Sequence, residues 1–160
     1  MSKYMTLMIL LGLVVFISAV EVKWGIYTDH SVEEELPIGL CVKGQYIYIT
    51  GFNRSLSGTT PYVEIRYARN GSLVKPWRSQ VKGSGLLTGC VVSGNWLYVV
   101  GHVNWTWYIS SLNLELDHQE ENKSVVRGVP FSVISDGQFL YIAGYESVGN
   151  DGKRWRVERR

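Results

Sequence analysis

The residue types that most often carry chemistry are sparse in this chain and poorly grouped. The three histidines, His30, His102 and His118, stand far apart, and none lies at ligand spacing from another His, Cys or carboxylate. Asp29-His30 and Asp117-His118 are adjacent pairs in polar stretches, where a solvated loop is the simpler reading than proton transfer or metal binding. The sequence holds no Gly-x-Ser-x-Gly elbow, no phosphate-binding glycine loop and no dinucleotide fingerprint. Cys41 and Cys90 have no histidine placed to activate them, which argues against a thiol nucleophile. The acidic run 33–35 lacks the Asp and Gly at turn spacing that a calcium loop needs. Among the carboxylates, only Asp136 falls near a position where a channel site would converge. No catalytic residue, metal site or cofactor is expected.

Binding is the better ground. The aromatic side chains Phe52, Trp105 and Tyr145, with His102, fall in the stretches 52–61, 102–106 and 145–153, each a connection between apolar strands. Loops held by a rigid scaffold are where recognition tends to reside, and exposed aromatics suit a protein or glycan partner. The competing reading has Trp105 and Tyr145 merely covering the sheet edge beneath them. Four Asn-x-Ser/Thr sequons, at Asn53, Asn70, Asn104 and Asn122, are candidate glycosylation sites, although Asn and Ser also share turns for conformational reasons. The two cysteines are too few for a disulfide framework. Counted from the turn glycines Gly44 and Gly94, they lie one residue out of step on equivalent strands, so they point to opposite faces. A bridge between neighbouring sheets and two separate core positions both fit that offset.

Composition narrows the class. The chain has 160 residues, enough for one domain with a real core, and a formal charge of +2 from scattered Lys and Arg, too little for nucleic acid. After Lys3, residues 4–20 carry no charge and read as a secretory h-region with cleavage after Ala19. An uncleaved anchor is the rival reading, since seventeen residues reach the lower bound for a spanning helix. Residues 1–19 are thus signal or anchor, the protein is expected at the cell surface or outside it, and contact with membrane is confined to that segment.

Three copies of one octapeptide organise the remainder: Gly44-Gln-Tyr-Ile-Tyr-Ile-Thr-Gly51, Gly94-Asn-Trp-Leu-Tyr-Val-Val-Gly101 and Gly137-Gln-Phe-Leu-Tyr-Ile-Ala-Gly144. A period of 40 to 50 residues marks a solenoid or propeller. Around each copy the same order of strands can be read. An apolar strand leads in, the octapeptide follows, and alternating segments such as 62–67 and 107–114 come next, then a fourth strand. The second unit's last hairpin is read across a polar stretch, 117–123, and the third unit has three strands. The domain plan is an N-terminal segment, 20–37, whose residues 22–27 could form a closing strand, then repeats at 38–85, 86–130 and 131–160. The tyrosines Tyr48, Tyr98 and Tyr141 share one offset and are expected to be buried alike.

The segments Tyr48-Ile-Thr-Gly-Phe52 with residues 63–72, and Tyr141-Ile-Ala-Gly-Tyr145 with residues 155–159, resemble the β-propeller repeats of exported bacterial and archaeal proteins. The resemblance covers residues 38–160 and implies four-stranded antiparallel blades, an all-β, propeller-like fold and export. It carries no catalytic residue. Three units fall short of the four to eight that close a ring, which leaves a homo-oligomer or further blades of a longer chain as the means of closure. The function expected is non-enzymatic interaction with a protein or glycan at the cell surface. The alternatives are a hydrolase or lyase with a channel site, and a structural unit of an envelope layer.

Overall fold

The computed structural model describes Gly25 and residues 34–160 except Lys82 and Asp151, with only the backbone of Asn122 and Lys123. The apolar run 4–20 lies outside the described residues, as does the spare strand expected at 22–27 except for Gly25, which is exposed and belongs to no strand. Among those described there is no helix, and every strand pairing is antiparallel. The strands are β1 (Glu34–Lys43), β2 (Tyr46–Ser55), β3 (Gly58–Tyr67), β4 (Leu73–Arg78), β5 (Gly85–Ser93), β6 (Trp96–Val103), β7 (Thr106–Asn113), β8 (Gln119–Ser135), β9 (Leu140–Val148) and β10 (Gly152–Arg159). They form a four-stranded sheet, β1-β2-β3-β4, and a six-stranded one, β10-β9-β8-β7-β6-β5, and neither closes on itself.

Three repeated units are nevertheless plain, because β8 serves two of them. Its first part pairs β7 as the last strand of unit 2, and from Gly128 onward it pairs β9 as the first strand of unit 3. Unit 3 therefore has three strands, counting the second part of β8 with β9 and β10. Two expected boundaries are corrected. Unit 1 begins at Glu34, four residues before the expected start, and the polar stretch Gln119 to Lys123 is strand, paired to β7 from Leu112 to Tyr108. The turn before it is short, held by Asn113, whose Oδ1 accepts from the Asp117 and His118 amides.

Both glycines of the octapeptide have a structural cause. Gly44, Gly94 and Gly137 occupy the tight turn that opens it, with φ of 57°, 59° and 94°, a region other residues enter at a cost. The closing glycines, Gly51, Gly101 and Gly144, stand opposite an extra residue in the leading strand. Register slips between Pro37 and Gly39, Leu87 and Gly89, and Pro130 and Ser132, so that Ile38, Thr88 and Phe131 are the bulged residues. A Cβ at any of the three glycines would overlap the carbonyl oxygen just before the bulge, that of Leu36, Leu86 or Val129. One bulge, three times, fixes how each first strand lies against the next unit.

The units stack face to face through these first strands: β1 and β2 pack on β5, and β5 and β6 on the latter part of β8. At the bulges Gly39 nears Gly89, and Thr88 donates its hydroxyl to the Pro130 carbonyl across 2.6 Å. The core is therefore laminar. Tyr48, Val63 and Ile65 of unit 1 meet Leu87, Leu97 and Val99 of unit 2 in one layer. Val100, Trp107 and Ile109 of unit 2 meet Val133 and Ile142 of unit 3 in the other. The three tyrosines differ: Tyr48 is buried, its hydroxyl donating to the Leu114 carbonyl at 3.4 Å, while Tyr98 and Tyr141 are only half-buried. Tyr48 alone is roofed by the loop that follows β7. Tyr141 lies on the open side of unit 3 and donates to Asp136 at 2.8 Å.

Cys41 and Cys90 are joined as a disulfide with Cα atoms 5.9 Å apart, linking unit 1 to unit 2. Their offset of one residue is the geometry of the stack: Cys41 faces forward from unit 1, and Cys90 faces back from unit 2. Closing a loop of 49 residues stabilises by about 4 kcal/mol on the chain-entropy account.

Candidate functional site

The turn joining β6 to β7 consists of Asn104 and Trp105, with φ of 52° and 60°. Two consecutive residues at positive φ make the mirror-type hairpin turn whose twist matches the strands, and Asn-Gly is its favoured sequence. Trp in the second place is unusual, because a bulky side chain in this region costs about 1–3 kcal/mol. Asn104 suits its place: its Oδ1 accepts from the Ser84 amide at 3.1 Å and ties the turn to the connection between units 1 and 2. The Trp105 carbonyl accepts from the Gly128 amide at 2.7 Å, which fixes the turn against the midpoint of β8.

The indole itself is held outward. Trp105 is 62% exposed, and one side of it is covered by the His102 ring, stacked parallel with centroids 4.9 Å apart. His102 is half-buried, its Nδ1 has no hydrogen-bond partner, and burial holds the imidazole below its usual range, so it is neutral at pH 7. The turn thus presents one rigid aromatic plate on a neutral backing.

The four residues expected to form one aromatic surface do not sit together. Phe52, His102 and Tyr145 occupy the same place in successive units, each directly after the closing glycine. Phe52 is buried within β2, with the Arg54 guanidinium 5.3 Å from its ring centre. Tyr145 packs on Phe131, centroids 5.6 Å apart, with the Lys153 ammonium 4.8 Å from its ring, in a shallow hollow of about 390 Å³ that Trp155 also lines. Trp105 with His102 is one site, and Tyr145 belongs to the open side of unit 3.

The sequons also separate. Asn53 is 3% exposed, part of β2 rather than a loop, and donates to Glu35 Oε1 at 3.3 Å. Asn70 and Asn104 are exposed in turns, the first accepting from the Ser72 amide and hydroxyl, and Asn122 pairs with Ile109 within β8. Asp136 caps the turn into the third octapeptide; the Phe139 and Gln138 amides, then the Tyr141 hydroxyl, hold its carboxyl below the usual range. Among the described residues no three His, Cys, Asp or Glu come together as a metal site, and no helix is long and apolar enough to cross a membrane.

No family model, characterised protein or solved structure matches this chain.

Sequence reading missed two features. A hollow of about 600 Å³ opens between units 1 and 2 at the far end from Trp105, lined by Tyr46, Tyr48, Ile65 and Val74, with Lys75 and Glu115 among the charges at its rim. On the third strand of unit 1, Tyr62, Glu64 and Arg66 form a buried polar row. The Arg66 Nε donates to Glu64 Oε1 at 2.5 Å and its Nη1 to the Gly71 carbonyl at 2.9 Å, while the Tyr62 hydroxyl reaches Glu64 Oε2 at 3.3 Å. Burial first, then the Glu64 and Glu35 carboxylates, push the Tyr62 phenol upward. The alternation Tyr-x-Glu-x-Arg was the available signal, since it places all three on one face.

Proposed function

We propose that this chain is a non-enzymatic, exported domain of propeller-like blades that binds a protein or glycan partner at the cell surface through its Trp105 turn. The observation that carries this reading is a large aromatic held in a costly left-handed conformation, mostly in solvent, against a neutral imidazole. A residue needed only to cover the sheet would be buried, and a turn selected only for stability would carry glycine there. The stacked units, with repeated bulges and a shared octapeptide, supply the rigid scaffold such a plate requires. The open sheets, packed one on the next, support the propeller-like reading. The apolar run 4–20 and the exposed sequons at Asn70 and Asn104 support export.

Trp105→Gly separates binding from packing. With glycine the turn loses its conformational cost and also the ring stack, so the urea midpoint should stay level or rise slightly. Binding to an array of immobilised glycans, or to solubilised surface proteins of the source cell, should fall on the order of 10–30-fold, as for an aromatic anchor. A lowered midpoint with unchanged binding would contradict the reading.

A further inference from the structure

The hollow between units 1 and 2 has a fixed apolar interior. Its floor is Tyr48 and Ile65, 1% and 4% exposed, both members of the first core layer. Its walls are the Tyr46 ring, Val74 of β4 and Leu114 just after β7. Tyr46 is held from two sides: the Tyr67 ring lies 5.5 Å from it, centre to centre, and the Gln45 Nε2 donates to its hydroxyl at 3.1 Å. The two units that supply these walls are tied by the Cys41–Cys90 bridge, and Cys41 stands opposite Tyr48 in the sheet. A cavity of about 600 Å³ is of the size that takes a small ligand.

One unit further along, the same place is built of polar groups. The hollow between units 2 and 3, about 490 Å³, is lined by Ser93, Ser135, Gln138 and Arg160, and Ser135 donates to Ser93 at 3.0 Å across the contact. Counted from the turn glycines, Val92 and Lys43 hold the places of Ser135 and Ser93 between units 1 and 2. Their side chains cannot hydrogen-bond to each other, so that end of the contact has no polar bridge of this kind and the cavity there is apolar.

Four charges stand at its mouth: Lys43 and Lys75 from unit 1, Glu115 and Asp117 from unit 2. Lys43, Glu115 and Asp117 are exposed, where water screens them, and Asp117 also accepts from the Asn113 side-chain amide. Lys75 is half-buried, and among the described residues it has no ion pair or hydrogen bond. An ammonium partly withdrawn from water, beside apolar walls and lacking a counter-ion, is the group at this mouth that gains most from an added anion.

We propose that this hollow binds a small amphipathic anion, its acyl or aryl body between Tyr46, Ile65, Val74 and Leu114 and its carboxylate or sulfonate head on the Lys75 ammonium. The site lies at the other end of the strands from Trp105 and does not depend on the partner contact placed there.

The test uses 1-anilinonaphthalene-8-sulfonate as the probe on the full-length chain. One molecule should bind per chain with a rise in fluorescence. Decanoate and 1-naphthoate should displace it, and the stronger competitor tells an acyl body from an aryl one. Decylammonium, the same alkyl chain with the opposite head, should compete about 10-fold less well than decanoate. Lys75→Gln should weaken decanoate by about the same factor, and Lys75→Arg should restore it. Val74→Asp, which sets a carboxylate on the wall, should abolish probe binding, while Trp105→Gly should leave it unchanged. Unaltered near-UV circular dichroism shows that a variant is folded, and the comparison of decanoate with decylammonium decides the head group on the parent protein alone. Absence of saturable binding would overturn the proposal. So would decylammonium competing as well as decanoate, binding that survives Val74→Asp, or binding lost with Trp105→Gly.

Discussion

Units 2 and 3 carry nearly the same forward face, and the molecule treats the two oppositely. In unit 2, Trp107 and Ile109 lie under unit 3, and the Trp107 N–H donates to the Tyr145 carbonyl. In unit 3, Trp155 and Val157 hold the same strand positions and face outward. Polarity along these strands is thus set by place in the repeat, not by local cover. The same face is core in unit 2 and surface in unit 3.

The widest split should appear when each tryptophan is removed. Trp107→Ala should cost about 4–6 kcal/mol, the usual 3–5 for an emptied aromatic site plus about 1 for the lost N–H bond. Trp155→Ala, in protein dilute enough to run as a single chain, should stay within about 0.5 kcal/mol. Urea unfolding of the two variants side by side checks this, and equal costs would break the comparison. Removing the bridge tests the other layer. Cys41→Ser with Cys90→Ser should lower stability by about 4 kcal/mol, seen as a lower midpoint that reductant no longer changes.

The smallest effect concerns His102. Burial lowers its pKa in the folded chain, so only the unfolded chain takes up this proton near pH 6.5. The fold should have its full stability above that pH and lose some as pH falls toward the lowered value. His102→Phe, which places there what unit 1 carries at Phe52, should flatten that part of the stability curve relative to the parent. A curve of unchanged slope between pH 7 and 5 would show that the imidazole is not shielded.

Much of the fold could be read from the chain because the octapeptide encodes both of its glycines: one turns, the other admits a bulge. The offset of Cys41 and Cys90 was equally legible, but the sense in which units stack was not, since alternation tells which residues share a face and not what meets it. The residues 119–123 read as loop because they are polar. As an edge strand, that part of β8 needs no apolar outer side and takes its order from β7, whose side chains are buried. Asn53 read as loop for the same reason, and Glu35 satisfies it within the sheet. Trp105 was visible as an aromatic in a connection. Its left-handed backbone, which separates it from Phe52 and Tyr145, exists only once β6 and β7 are joined by a turn of two residues.

Hydroxyl-radical footprinting of the intact protein reads both faces in one experiment. Trp107 should be protected throughout, while Trp155 should be oxidised readily. Equal oxidation of Trp107 and Trp155 would contradict the account.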